Sequence, residues 1–111
     1  MAYTEIVRFI ETGVFTRQIT RLLPDDEYRK LQQELILRPN AGPVIPNSGG
    51  LRKLRWRTVS KGKRGGIRVI YYWFASDDEV YMFIAYGKGE KDDVSPQELK
   101  HLRMHVQEAL S

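Results

Sequence analysis

Apolar positions along the chain follow two spacings, and each predicts a different element. From Thr4 to Ile10, Ile6 and Val7 sit between polar residues, the pattern of a short strand. After Gly13 the spacing turns helical. Phe15, Ile19, Leu22 and Leu23 fall at i, i+4, i+7 and i+8 and line one face. Pro24-Asp25-Asp26-Glu27 then opens a second helix, its first-turn acids suited to the positive end of the helix dipole. Tyr28, Leu31, Leu35 and Ile36 make the apolar stripe of that helix, and Arg38-Pro39-Asn40 ends it, so the two pieces predict a helical hairpin.

Residues 39–50, PNAGPVIPNSGG, hold three prolines and three glycines in twelve positions and read as a loop. Strand patterns follow at 51–58 and 66–75, joined by a Gly- and Lys-rich turn at 59–65. A third runs from Glu79 to Tyr86 after the turn Ser76-Asp77-Asp78. Connections this short predict an antiparallel meander. Ser95-Pro96-Gln97-Glu98 is a capping-box pattern with Pro at the first helical position. Leu99, Leu102, Val106 and Ala109/Leu110 supply the core-facing stripe of a last helix. The order β-α-α-β-β-β-α predicts a single α+β domain over residues 1–111, a twisted antiparallel meander sheet with helices packed on it.

Composition adds exclusions. The chain has 111 residues, enough for one core, and contains no repeat. It shows no signal-peptide pattern and no apolar run of the roughly 18 residues that a membrane helix needs. With no cysteine, disulfides, thiolate metal sites and thiol nucleophiles are excluded, which suits a reducing cytoplasm.

Charge changes the picture more. The net charge is +4, yet residues 35–76 carry nine Lys/Arg and no acid. The rest of the chain holds nine Lys/Arg against fourteen Asp/Glu, a net of −5. A basic patch on an otherwise acidic body predicts a polyanionic partner, nucleic acid first and acidic protein segments second. Strand alternation puts Lys53, Arg55 and Arg57 on one face, with Arg52, Leu54, Trp56 and Thr58 on the other. On the next strand Arg68 shares a face with Ile70, Tyr72 and Phe74, opposite Val69, Tyr71 and Trp73. Such cations repel unless an anion or water lies between them. Tyr72, Tyr86 and the two Trp lie in the same strands, where a ring can stack on a base.

Several chemistries are disfavoured. The basic segment has no carboxylate for a two-metal nuclease, and GKRGG lacks the P-loop pattern. His101 and His105, four apart with Glu98 and Glu108 nearby, have a spacing able to hold a metal, but a solvent-facing helix flank looks the same. What remains is a phosphate site that needs no metal or other cofactor. RNA carries its own nucleophile, the 2′-OH, so the protein has to supply orientation, proton transfer and charge stabilisation. Arginine clamps phosphate with its fork, and a lysine among cations trades protons nearer neutral pH.

The ordered run GGLRKLRWRT…KGKRGGIRVIYY…VYMFIAYGKGEKDD resembles the RelE/HigB toxins of bacterial type II toxin–antitoxin modules. With the upstream DDEYRKLQQELILRPNAGPVIPNSGG, it is most similar to the HigB-like branch, over about residues 23 to 95. The resemblance implies a ribosome-dependent endoribonuclease that cuts mRNA in the A site by metal-independent 2′-OH attack and so inhibits translation. It implies a cytoplasmic protein whose partners are mRNA, the ribosome and a cognate antitoxin. That antitoxin is expected to be a helix-turn-helix DNA-binding protein, giving indirect DNA contact and no membrane partner. The family's phosphate-acting positions fall on Lys53, Arg55, Arg68 and Lys88: Arg68 as the main clamp, Lys53 or Arg55 for proton transfer or charge stabilisation, Lys88 in support. Arg57, Lys61, Lys63, Arg64 and Lys91 are the expected RNA contacts. Several members carry Tyr or His where this chain reads Asp93-Val94-Ser95-Pro96, and a basic residue where it has Gly89. The general acid and base therefore stay open between the lysines, Tyr86 and Asp92/Asp93. The alternative is a non-catalytic RNA- or ribosome-binding module, or a toxin homologue of weak activity.

Overall fold

The computed structural model describes residues 7–58, 66–90 and 94–110, with the side chains of 109 and 110 excepted. Its elements are β1 (Arg8–Glu11), α1 (Gly13–Leu22), α2 (Asp25–Leu37), β2 (Arg52–Trp56), β3 (Ile67–Phe74), β4 (Glu79–Gly87) and α3 (Pro96–Leu110). This is the α+β order expected. The Thr4–Ile6 part of the first predicted strand and the 59–65 turn lie outside the described residues.

The sheet runs β1-β4-β3-β2. β2, β3 and β4 form the antiparallel meander, but β1 lies parallel to β4, with Arg8 opposite Glu79 and Glu11 opposite Met82. The sheet is therefore mixed, which corrects the wholly antiparallel expectation. Short turns dictate antiparallel pairing only where they occur. Between β1 and β2 the chain travels through two helices and a loop, long enough to leave β1 on the far edge in either sense.

Two helix starts have a local reason. The Thr12 hydroxyl caps α1 by accepting the Phe15 N–H (3.0 Å), and it donates to the Phe83 carbonyl (2.7 Å). That carbonyl sits at a register break: Ile70 faces Ile84 whereas Tyr71 faces Met82, so Phe83 is the extra residue of a β-bulge. α3 starts on the predicted capping box, Glu98 N–H donating to Ser95 Oγ and Ser95 N–H to Glu98 Oε1, both 3.1 Å. Between β3 and β4, Ala75–Asp77 form a 3₁₀ turn and Asp78 takes the left-handed conformation (φ 51°).

Two apolar layers result. Phe15, Ile19, Leu22 and Leu23 with Leu31 and Leu35 cover one face of the sheet, against Leu54, Ile67, Val69, Tyr71, Val80, Met82 and Ala85. α3 and the 45–51 loop cover part of the other, where Leu51, Ile70, Phe83, Tyr86, Val94 and Val106 cluster with Leu99 and Leu102. The α2 stripe is rotated from expectation. Ile36 is exposed, whereas Glu27 is buried in line with Leu31 and Leu35 and accepts a hydrogen bond from the Thr58 hydroxyl at 2.7 Å. A buried carboxylate is tolerated where donors meet it.

Candidate nucleic-acid interface

The β2–β3–β4 register assembles the predicted cations. Arg55 stands opposite Arg68, and Arg68 opposite Tyr86, so three side chains from three strands form one row across the sheet. The adjacent row is Lys53, Ile70 and Ile84. Residues paired across a ladder share a face, and this face is the one on which Ile70 and Tyr86 meet α3. Apolar residues thus floor one end of the face, and cations crowd the other.

Their exposure differs with position. Arg55 is exposed on the edge strand, while Lys53 and Arg68 are partly buried. Tyr86 is almost fully buried, beside Val94 and Leu51 in the α3-side core. The Arg68 guanidinium donates to the Ile67 carbonyl of its own strand (3.4 Å). Arg57 lies exposed just past the end of β2. Lys88 follows the last residue of β4 and is also exposed. Its backbone N–H donates to the Gly66 carbonyl (3.1 Å), two residues before Arg68. Lys61, Lys63, Arg64 and Lys91, with Asp92 and Asp93, lie outside the described residues.

The edge of the site is built by the proline-rich loop. Buried Tyr71 donates its hydroxyl to the Pro39 carbonyl (2.7 Å) and accepts the Gly42 N–H (2.9 Å), while Arg52 donates to the Gly42 carbonyl (2.9 Å). Burial pushes the Tyr71 phenol above its ordinary pKa, so it stays a neutral donor. Pinned there, the loop lends its Pro43 carbonyl to the Lys53 N–H (3.1 Å). A recess of about 370 Å³ opens beside it, lined by Ala41, Pro43, Lys53, Leu54 and Arg55. Arg52 is thus a structural residue on the opposite face from the cation row, as alternation predicts.

Other expectations change here. Trp56 and Trp73 pack against the α1/α2 layer, on the face away from Arg68, so neither offers a ring to a base beside it. Of the stacking candidates, Tyr72 and Tyr86 are the ones on the α3 side, where Phe83 and Tyr81 also pack. His101 and His105 are both exposed, and no group of three or more His, Cys, Asp or Glu able to hold a metal occurs among the described residues. Sequence reasoning did not find the loop anchors Tyr71 and Arg52, nor the pair joining Arg21 to Glu90 across 69 positions. Only β propensity marked Tyr71, and nothing local marked the pair.

No family model matches the chain. Among solved structures it is similar to a chain of the intact E. coli RelBE toxin–antitoxin complex, at 16% identity with a TM-score of 0.56, over 78% of this chain and 100% of that one. It is also similar to an arginine-to-alanine double mutant of E. coli toxin RelE in the free state, at 17% identity with a TM-score of 0.57, over 86% of this chain and 97% of that one. The class defined is a small α+β domain with a four-stranded mixed sheet and three helices. Within it, this chain has the RelE fold.

Proposed function

We propose that this protein is the toxin of a toxin–antitoxin pair, a ribosome-dependent endoribonuclease acting on mRNA. The observation that carries the reading is the Arg55–Arg68–Tyr86 row with Lys53 alongside, on a RelE fold. Cations drawn from two adjacent strands converge there with no acid in either strand, an arrangement that favours a bound phosphate.

In the proposed reaction the 2′-oxygen of one nucleotide attacks the adjoining phosphorus, and the bond from phosphorus to the 5′-oxygen breaks. A base takes the 2′-OH proton and an acid returns one to the leaving oxygen, leaving a 2′,3′-cyclic phosphate and a free 5′-OH. The nucleophile is internal to the substrate, so no metal is required to generate it. Arg68 holds the non-bridging oxygens with its fork, and Arg55 adds charge from the facing strand. Lys53 or Tyr86 exchanges the protons, and Lys88 approaches from the end of β4.

An antitoxin partner is supported by the RelBE neighbour, a toxin–antitoxin complex. The HigB-like branch, the DNA-binding antitoxin and a cytoplasmic location rest on the sequence resemblance. No helix among the described residues is long and apolar enough to cross a membrane. One observation favours a second reading, a ribosome-binding module without catalysis: Val94, in the stretch where similar toxins carry Tyr or His, is a buried core residue against Tyr86. Primer extension on a message with and without translation separates the two. New 5′ ends that appear only on the translated message support the nuclease; stable ribosome association with no new ends supports the binder.

A further inference from the structure

Lys88 stands on a tight turn closing the end of β4. The Glu90 N–H donates to the Gly87 carbonyl (3.1 Å), and the Lys88 N–H donates to Gly66 (3.1 Å). The pivot within it is Gly89, at φ +99° with open space around it, a conformation that side-chain-bearing residues avoid. These bonds close the turn, and a side-chain contact from α1 adds to them.

Glu90 folds back over the strand end, so that a Cβ on Gly87 would meet its Oε1 at 3.0 Å. Arg21, in the last turn of α1, grips that carboxylate with both ends of its fork, Nη1 to Oε1 at 3.2 Å and Nη2 to Oε2 at 3.0 Å. The carboxylate raises the pKa of Arg21 further, so the guanidinium stays charged. α1 is itself fixed to β4: Phe15, Ile19 and Leu22 are buried against the sheet, and Gln18 Oε1 accepts the Ala85 N–H at 2.8 Å. Arg21 therefore refers the turn to the same strand that carries Tyr86. A pair this exposed contributes little to global stability, so its effect is local, on the geometry of the turn.

We propose that Arg21 and Glu90 form a positioning clamp that sets where the Lys88 ammonium meets the scissile phosphate. The clamp's catalytic consequence rests on the ribonuclease reading above, whereas its structural half does not. Small displacements of a group acting on a transition state cost rate steeply.

Two measurements on the full chain test it. In a reconstituted translation reaction, Arg21→Ala and Glu90→Ala each slow mRNA cleavage at saturating ribosomes by about tenfold, with little change in the ribosome concentration giving half the rate. The swap Arg21→Glu with Glu90→Arg restores most of the rate. In a Lys88→Ala background, Arg21→Ala adds no further loss. By amide hydrogen exchange, Arg21→Ala speeds exchange at Lys88 and Glu90 specifically, and the swap reverses it. The clamp is overturned if those amides exchange as in the parent protein. It is equally overturned if Lys88→Ala slows cleavage while Arg21→Ala does not, or if the two losses multiply. A parent protein that binds ribosomes but never cuts refutes the ribonuclease reading instead, and the exchange measurement then decides the clamp alone.

Discussion

Arg55 stands directly opposite Arg68 across the β2–β3 ladder, like charge against like charge. Cross-strand pairs of this kind destabilise a sheet by about 0.2–1 kcal/mol. Arg55→Thr, which keeps strand propensity at an exposed position, should therefore raise the melting temperature by about 1–4 °C. The gain should shrink as salt screens the repulsion in the parent protein. The same substitution should lower mRNA cleavage by at least tenfold, about the loss expected when one of several charge-stabilising groups is removed. Thermal melts at low and high salt with a cleavage assay check both halves; a variant neither more stable nor less active removes the case for a functional pair.

Arg68 lies at the centre of the row, partly buried, where a fork and a point charge are not equivalent. Arg68→Ala should abolish growth arrest on induction while leaving a folded protein, a loss on the order of 10²–10³ in rate. Arg68→Lys keeps the charge without bidentate geometry and should fall between. Growth curves with matched expression levels and circular dichroism test this, and a fully toxic, well-expressed Arg68→Ala protein contradicts the site.

Alkaline stability should depend on phenols whose pKa is raised by desolvation, Tyr71 fully buried and Tyr28 and Tyr81 partly so. Burial raises the pKa of Tyr28, its hydrogen bond to Glu11 reinforcing the effect, and burial likewise raises that of Tyr71. In the unfolded chain both ionise near pH 10. Above that pH the unfolded state binds fewer protons than the native one, so stability is full below about pH 10 and falls as pH rises past it. Denaturant midpoints between about pH 8 and 11 should show the decline. Tyr28→Phe with Tyr71→Phe should shrink it, leaving the part due to Tyr81, at the cost of a lower plateau where Tyr71 loses its bonds to Pro39 and Gly42.

Gly66 opens β3 at φ +74°, and a Cβ there would lie 2.1 Å from the Trp56 carbonyl oxygen. Neither backbone can yield without breaking the β2–β3 pairing. Gly66→Ala should cost at least about 3 kcal/mol. Gly89→Ala meets no atom within 4 Å and should cost about 1 kcal/mol from the left-handed backbone alone. Chemical denaturation of the two variants side by side tests the difference.

Local spacing carried much of this architecture. Phe15, Ile19, Leu22 and Leu23 are all buried, as their period required, and Ser95 and Glu98 cap α3 reciprocally. Alternation alone placed Lys53 and Arg55 on one face and kept Arg52 off it. What failed to show was non-local. Glu27 read as a first-turn acid because its Thr58 donor lies 31 positions away, on the far side of a loop. The parallel sense of β1 depended on a crossover through two helices, which no turn signal encodes. That Arg55 faces Arg68, rather than a neighbour one pair along, is a matter of strand register, which alternation does not specify. The Trp pair looked like stacking candidates by composition, but alternation already set both off the cation face, and their packing in the α1/α2 layer agrees with it.

The parallel β1–β4 edge also bears on how the protein comes into being. β1 is made first, yet its partner begins at Glu79, 71 positions after Arg8. A growing chain therefore carries an unpaired strand until β4 emerges, and contacts this distant form late and slowly. Tyr86 belongs to that same late strand, so the row it completes with Arg68 and Arg55 does not exist in any shorter nascent chain. On the ribonuclease reading proposed above, the Arg55–Arg68–Tyr86 row is therefore incomplete in a nascent chain until β4 has been made.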